Sequence, residues 1–423
     1  LIITHFFPPR PGIGSVRLGG LAKYLPEFGW HPIVLTSKLP YKPEGNFTLV
    51  ETPAFEDTFT KWKRRLGADP QRGFKEQIGS LENIESRKSK IASRFAQFGK
   101  GILAYPDFAH SWYTAACEYA TIAIQSNQVD VLLSSSHPVT AHLIANTIKK
   151  KYALPWVADL RDLWTQNHYY PYGILRKTIE RQLELRTLQE ADALVTVSEP
   201  LAETLRHLHK QEQILSITNG FDPDDYTALP LTKEFTITYT GQLHEGKRDP
   251  RALLAVILEL IDSKRIDESR VRIRFFGPKA SWLENFVKEK NMESVVSFES
   301  VDRATALKKQ AESQILLLLN WDHPDEKGVY TGKLFEYLGA RRPIIATSGS
   351  NVGDNVVQRL LKETHSGYFV SEPDDIKKII LHYYNDYETT GSVMYKGKQG
   401  QIEMYTHHEM TKKFSELFET VIR

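Results

Sequence analysis

Leu1-Ile2-Ile3-Thr4-His5, then Phe7-Pro8-Pro9-Arg10-Pro11-Gly12-Ile13-Gly14, then a run carrying Leu18, Leu21, Ala22, Leu25 and Phe28, then His31-Pro32-Ile33-Val34-Leu35-Thr36: these opening residues decide the fold class. The first group is an apolar run of strand length. The second is a Pro/Gly loop. In the third, apolar residues recur at three- and four-residue spacing, which predicts a helix over Arg17–Phe28 that Gly29 stops. The fourth is a second buried strand. Strand, helix and strand in this order make a β-α-β unit, the seed of a parallel sheet in an α/β protein.

Working outward, residues 41–100 break the rhythm. They are polar, and 61–100 holds eleven Lys and Arg against four Asp and Glu, so an insert of loops and short helices is expected there. The alternation then resumes. Strands are predicted at Val129–Ser134, Trp156–Leu160, Ala193–Val197 and Gln213–Thr218, with helices at His137–Tyr152, Leu175–Glu190 and Pro200–Leu208. Asn219-Gly220-Phe221-Asp222-Pro223 is a dense turn cluster, and Thr227–Lys233 reads as a linker. A second α/β series follows, with strands at Phe235–Thr240, Val271–Phe276, Val295–Phe298, Ile315–Leu319 and Pro343–Ala346. The reading is two Rossmann-like domains, 1–230 and 231–404. An amphipathic C-terminal helix lies within 405–423 and is a candidate to cross back to the first domain.

Composition narrows the function. The 423 residues are 41% hydrophobic and 25% charged, enough apolar material for two cores. Lys and Arg number 54 against 52 Asp and Glu, a net charge of +2, which argues against a nucleic-acid binder. The single cysteine, Cys117, excludes an intrachain disulfide framework and a cysteine-cluster metal site. It fits a reducing, cytoplasmic setting. No apolar run approaches the roughly 18 to 20 residues that span a bilayer, so any membrane role is expected to be peripheral. The chain opens inside a strand without a methionine, and a few preceding residues are expected. Within 61–100 the basic residues alternate with Trp62, Phe74, Phe95 and Phe98. Two readings stand: a surface resting on an anionic membrane near the inner face, or a solvated helical insert.

In parallel sheets ligands gather at the carboxyl ends of strands, so the loops after strands are the places to search. Gly12-Ile13-Gly14 looks like the start of a dinucleotide fingerprint, but Arg17 stands where its last glycine belongs, and NAD is disfavoured. Ser134-Ser135-Ser136-His137-Pro138 sets hydroxyls and an imidazole at a strand end. In Asp159-Leu160-Arg161-Asp162 the charges either pair with one another or face a cleft. Gly241-Gln242-Leu243-His244-Glu245-Gly246-Lys247-Arg248 offers close backbone approach and two cations to a diphosphate, or is a solvated turn. Thr331-Gly332-Lys333 opens a helix whose N–H groups and dipole would hold an anion. Glu336 lies one turn further in, where a carboxylate accepts ribose hydroxyls or simply complements the dipole.

Together these loops resemble the family-4 retaining glycosyltransferases of GT-B fold, over nearly the whole chain. The Phe7-Pro8-Pro9…Gly14 opening, the Asn219-Gly220-Phe221-Asp222 turn, Tyr239-Thr240-Gly241-Gln242-Leu243…Lys247 and Lys333-Leu334-Phe335-Glu336-Tyr337…Pro343 carry the resemblance. Tyr105-Pro106-Asp107…Trp112 and Trp156–Trp164 look like a bacterial polysaccharide-assembly branch. The resemblance implies two Rossmann-like domains facing each other across a cleft, the first binding acceptor and the second donor. It implies transfer of a sugar from a nucleotide-diphosphate donor to a glycan or lipid-linked acceptor, with retention and with no cofactor or essential metal. Lys247 would hold the diphosphate and Glu336 the ribose, and the N–H groups of Thr331, Gly332 and Lys333 would line the phosphates. Gly14, Gly241 and Gln242 would border the donor, His137 would sit by the transferred sugar, and Asp159, Arg161 and Asp162 are acceptor-side candidates. Two positions depart from the family pattern. Gln242 replaces a diphosphate arginine, for which Arg248 is the candidate substitute. Gly328 replaces the first of two paired glutamates, for which Asp325 and Glu326 are the candidates. The same fold keeps open a nucleotide-sugar 2-epimerase, and the two departures keep open a catalytically weak nucleotide-sugar-binding protein. Phosphorylase chemistry is disfavoured, since no pyridoxal-lysine signature is seen.

Overall fold

The computed structural model describes residues 1–54, 105–167, 170, 172–243, 247–321, 323, 328–348 and 355–423. The chain divides into two compact units, one made of Leu1–Ile217 with Thr411–Arg423, the other of Thr218–Met410.

In the first unit the strands are β1 (Ile2–Ile3), β2 (Ile33–Ser37), β3 (Thr48–Thr52), β4 (Leu132–Ser136), β5 (Trp156–Leu160), β6 (Ala193–Thr196) and β7 (Ile214–Ser216). They form a parallel sheet in the order β3-β2-β1-β4-β5-β6-β7. Its described helices are α1 (Ile13–Tyr24), α2 (Tyr113–Ser126), α3 (Thr140–Tyr152), α4 (Ile174–Leu188) and α5 (Glu199–Leu208). The opening β-α-β unit is present, with α1 starting earlier than the apolar spacing predicts. Gly12 caps it, and Pro26 turns its end into a 3-10 segment, Leu25–Phe28, closed by Gly29 at φ 81°. Strand β3 corrects the reading of 41–100 as loops and short helices. Its residues pair with β2 from Ile33 opposite Thr48 to Ser37 opposite Thr52. The rest of that insert, including Trp62, Phe74, Phe95 and Phe98, lies outside the described residues. Asp107 caps α3 from 33 residues away, accepting hydrogen bonds from the Thr140 N–H and hydroxyl, both at 2.8 Å.

The second unit contains β8 (Phe235–Thr240), β9 (Val271–Phe276), β10 (Val296–Glu299), β11 (Ile315–Leu319), β12 (Ile344–Thr347) and β13 (Gly367–Phe369), again all parallel, in the order β10-β9-β8-β11-β12-β13. Its helices are α6 (Arg251–Asp262), α7 (Ser281–Glu289), α8 (Arg303–Ala311), α9 (Gly332–Ala340), α10 (Val356–Thr364), α11 (Pro373–Thr390) and α12 (Gln399–Glu403). The all-apolar β11 shows why such a strand must be covered on both faces. Ile315, Leu317 and Leu319 enter the core beneath Leu254, Ile257 and Tyr384, while Leu316 and Leu318 enter a second core with Leu334, Phe335 and Leu361.

Helix α13 (His407–Ile422) begins in the second unit and ends in the first. In the first unit its Phe414 and Phe418 are buried, Phe414 lies 5.2 Å from the Arg17 guanidinium, and Ser415 accepts a hydrogen bond from the Trp30 indole at 2.9 Å. Among the described residues no helix is long and apolar enough to cross a membrane. Each sheet reverses its strand order once, between β1 and β4 in the first unit and between β8 and β11 in the second. At such a reversal the loops leave in opposite directions and open a crevice at the strands' carboxyl ends.

Candidate functional site

At the reversal in the second unit, the chain leaves β8 through Gly241, whose φ of 109° is a conformation side chains rarely adopt. Close approach demands glycine there too, since a Cβ would stand 2.2 Å from the Lys333 Cε. The Lys333 ammonium donates to the Tyr239 hydroxyl at 3.1 Å and lies 4.8 Å from that ring's centroid. The Tyr239 hydroxyl in turn donates to the Gln242 carbonyl at 2.8 Å. Thus Gln242 serves the loop through its backbone, with its side chain exposed. Burial, then the neighbouring Arg248 charge, pulls the Lys333 ammonium down to a pKa of about 7, with Glu336 acting against them. Lys247 places its ammonium 4.3 Å from the Trp321 ring centroid, and Trp321 stacks on His323.

Helix α9 delivers Lys333 and Glu336 to this crevice. It is hooked in place by Tyr337, whose hydroxyl accepts from the Thr240 N–H and donates to the Leu317 carbonyl, each at 3.1 Å. The hook therefore ties the helix to both strands of the reversal. Thr331 is the N-cap residue, yet its side chain makes no capping hydrogen bond. Its hydroxyl oxygen is buried and has no partner among the described residues. No side-chain cap therefore competes for the first-turn N–H groups of α9, of which that of Leu334 donates to the Thr331 carbonyl at 3.1 Å, and an anion site uses such uncapped N–H groups.

One turn along, Glu336 accepts from the Gln310 amide at 3.2 Å and is 3.4 Å from the Arg303 guanidinium, which also pairs with Asp225 at 3.2 Å. The same Gln310 amide donates to Thr240 at 2.9 Å, and its buried carbonyl oxygen has no partner among the described residues. Burial, with the Glu336 charge beside it, raises the nearby Tyr226 hydroxyl well above its ordinary range.

Gly241, Gln242, Lys247, Arg248, Thr331, Gly332, Lys333 and Glu336 therefore all lie in the second unit, on the loops after β8 and β11 or on the helix behind them. Asp325 and Glu326 lie outside the described residues, and Gly328 is buried. Sequence reading missed Arg303, Gln310 and Trp321. Arg303 opens the helix that follows β10, so the rule that singled out the other loops would have found it. Gln310 gives no such signal, because it is a polar residue within a helix that only packing turns inward. Among the described residues, no three His, Cys, Asp or Glu side chains are grouped as a metal site would need.

The other candidates belong to the first unit. Asp159 pairs rather than facing an opening: it is fully buried with Arg17, which meets its two oxygens at 3.0 and 3.1 Å, and it accepts from Ser135 at 2.8 Å. Ser135 also accepts from the Arg161 Nε at 3.2 Å. Gly14 is the seat for that arginine, since a Cβ there would stand 2.4 Å from its guanidinium. Asp162 is exposed, and His137 is half-buried after β4. Beyond it His142 is buried, bonded to Ser134 at 2.7 Å, and its pKa is lowered to about 3 by burial.

The loops that carry the resemblance to the family-4 glycosyltransferases thus include those that bound this crevice, Gly241–Arg248 and Thr331–Glu336. Residues 86–225 match the family model described as Glycosyltransferase Family 4. Among solved structures, the chain is similar to a sucrose-phosphate synthase from Thermosynechococcus elongatus, at 13% identity and a TM-score of 0.64, covering 99% of this chain and 98% of that one. It is also similar to HepE of Anabaena in complex with UDP, at 12% identity and a TM-score of 0.62. A third is WaaG, a glycosyltransferase involved in lipopolysaccharide biosynthesis, at 10% identity and 0.57; for both, 99% of each chain is covered. The chain has the GT-B fold, and a glycosyltransferase family model matches part of its first unit. No curated protein sequence matches this chain. At these low identities the solved structures establish the fold, two Rossmann-like units each with a parallel sheet.

Proposed function

We propose that this glycosyltransferase moves a sugar, with retention, from a nucleoside-diphosphate donor to a glycan or lipid-linked acceptor, with no resident metal, in building a cell-surface polysaccharide at the cytoplasmic face of the membrane. The observation that carries the reading is the crevice between β8 and β11, where Gly241 packs on Lys333 at the start of α9, no side chain caps that helix, and the Arg248 charge acts on the same lysine. HepE, similar in fold, has been solved with UDP and with UDP-glucose, which supports a nucleoside-diphosphate sugar as the ligand class. In this reading the bond from the anomeric carbon to the β-phosphate oxygen breaks. An acceptor hydroxyl oxygen bonds that carbon and passes its proton to the departing β-phosphate oxygen, and the nucleoside diphosphate leaves with the electron pair of the broken bond. Lys247, Lys333 and the α9 N–H groups hold the negative charge where it develops. Glu336, already held by Gln310 and Arg303, takes the ribose hydroxyls. His137 is assigned to the sugar side, and Arg161 and Asp162 to the acceptor side.

Gln242 and Gly328 favour a second reading, a nucleotide-sugar binder with weak transfer. A donor and acceptor panel followed by mass spectrometry separates the two, and it also detects isomerised donor, the mark of an epimerase. Transfer is expected, and removing one charged contact to the developing anion in Lys247→Ala should lower turnover about 100- to 1,000-fold. Glu336→Ala should chiefly weaken donor binding. Near-normal transfer by both variants overturns the site, and donor binding without transfer overturns the reaction.

A further inference from the structure

We propose that the outer face of α4 is a docking surface for an anionic lipid bilayer. Ile174 and Leu175 are 86% and 77% exposed, more than any other large hydrophobic side chain among the described residues, and Ile179 one turn on is 53% exposed. A helix on a soluble protein normally turns its apolar residues inward and its charges outward. The first turns of α4 do the reverse, and its carboxylates show why that arrangement is held. Glu180 is buried, accepts from the Trp164 indole at 3.2 Å and pairs with Arg176 at 2.5 Å. Glu184 is fully buried, accepts from the Thr165 N–H and the Gln166 amide, both at 3.2 Å, and bonds to the Thr165 hydroxyl. With both glutamates turned inward, the exposed charges of the helix are Lys177, Arg181 and Arg186, all cations.

Three aliphatic side chains beside three cations match the layered chemistry of a membrane surface, acyl chains below and anionic headgroups above. The N-terminal end of the helix, which carries the aliphatic side chains, adds the positive pole of its dipole. The same charge pattern argues against a second copy of this chain as the occupant. A two-fold contact through this face would set Lys177 and Arg181 against their own duplicates. None of these residues belongs to the basic insert 61–100 or to the set that forms the donor crevice.

The test is vesicle flotation of the full chain with phosphatidylcholine alone and with phosphatidylglycerol added. Wild type is expected to float only with the anionic vesicles. The variant I174S/L175S/I179S should lose that binding, and K177E/R181E should lose at least the roughly fivefold per cation expected of a charge at an anionic surface. All substituted side chains are exposed, so unchanged thermal unfolding and UDP binding are the controls for folding. Full binding by both variants places the contact elsewhere and overturns the inference, as does wild type that ignores anionic vesicles. A wild-type dimer in sedimentation velocity that the serine variant abolishes assigns the face to self-association instead.

Discussion

At the start of α9 the Lys333 ammonium has burial and the Arg248 charge against it and Glu336 in its favour, and its pKa falls from 10.5 to about 7. Below about 7 both folded and unfolded chains hold the proton, and above about 10.5 neither does. In between, the unfolded chain holds it and the folded chain does not, so the stability that burial removes is regained as pH rises through this window. Lys333→Met is expected to flatten stability against pH between 7 and 10.5, as read by urea unfolding at stepped pH. A diphosphate in the crevice would favour the charged form. UDP binding near pH 8 should therefore take up a proton in the wild type and none in Lys333→Met. Calorimetry in two buffers of different ionisation heat checks this, and equal heats after correction would leave Lys333 away from the phosphates. The lysine was visible in the sequence at a helix start. Its pairing with Tyr239 was not, because that contact spans 94 residues of chain.

Single elements differ in how openly their residues announce them. Strands β5, β8, β9 and β11 have the limits the sequence predicts, because each run is bounded by proline, glycine or polar residues: Pro155 and Arg161, Glu234 and Gly241, Arg270 and Gly277, Gln314 and Asn320. Helix α2 was not predicted, and its buried side chains explain why: they are Ala116, Ala120 and Ala123, too small to write a hydrophobic stripe. Strands β3 and β13 were missed because they are short and largely half-exposed at the sheet edges. The start of α3 was predicted at His137, three residues before Thr140, where Asp107 supplies the cap from a distant loop. Asp107→Ala removes an acceptor from the first turn of α3 and should lower stability by about 0.5–2 kcal/mol in urea unfolding. Asp107→Asn, which keeps an acceptor oxygen, should lose less. Equal losses would mean the carboxylate acts through its charge and not as a cap.

Over the whole molecule, each unit has its own parallel sheet and its own buried core, with cores in the second unit on both faces of the sheet. A chain cut to Thr218–Met410 contains every element of the β8–β11 crevice. It is expected to unfold cooperatively by circular dichroism and to bind UDP within about tenfold of the full chain, a difference of about 1.4 kcal/mol. A fragment that folds but does not bind would show that the donor needs more than these residues. The fate of α13 gives the division a consequence in time. The first unit takes Phe414 and Phe418 into its interior, so it stays incomplete while the ribosome makes everything between Thr218 and Met410. At roughly 5–20 residues per second that wait is on the order of 10–40 s. During that time the half begun first must hold an unfilled seam around Trp30 and Arg17, and the half begun second is the first whose residues are all present.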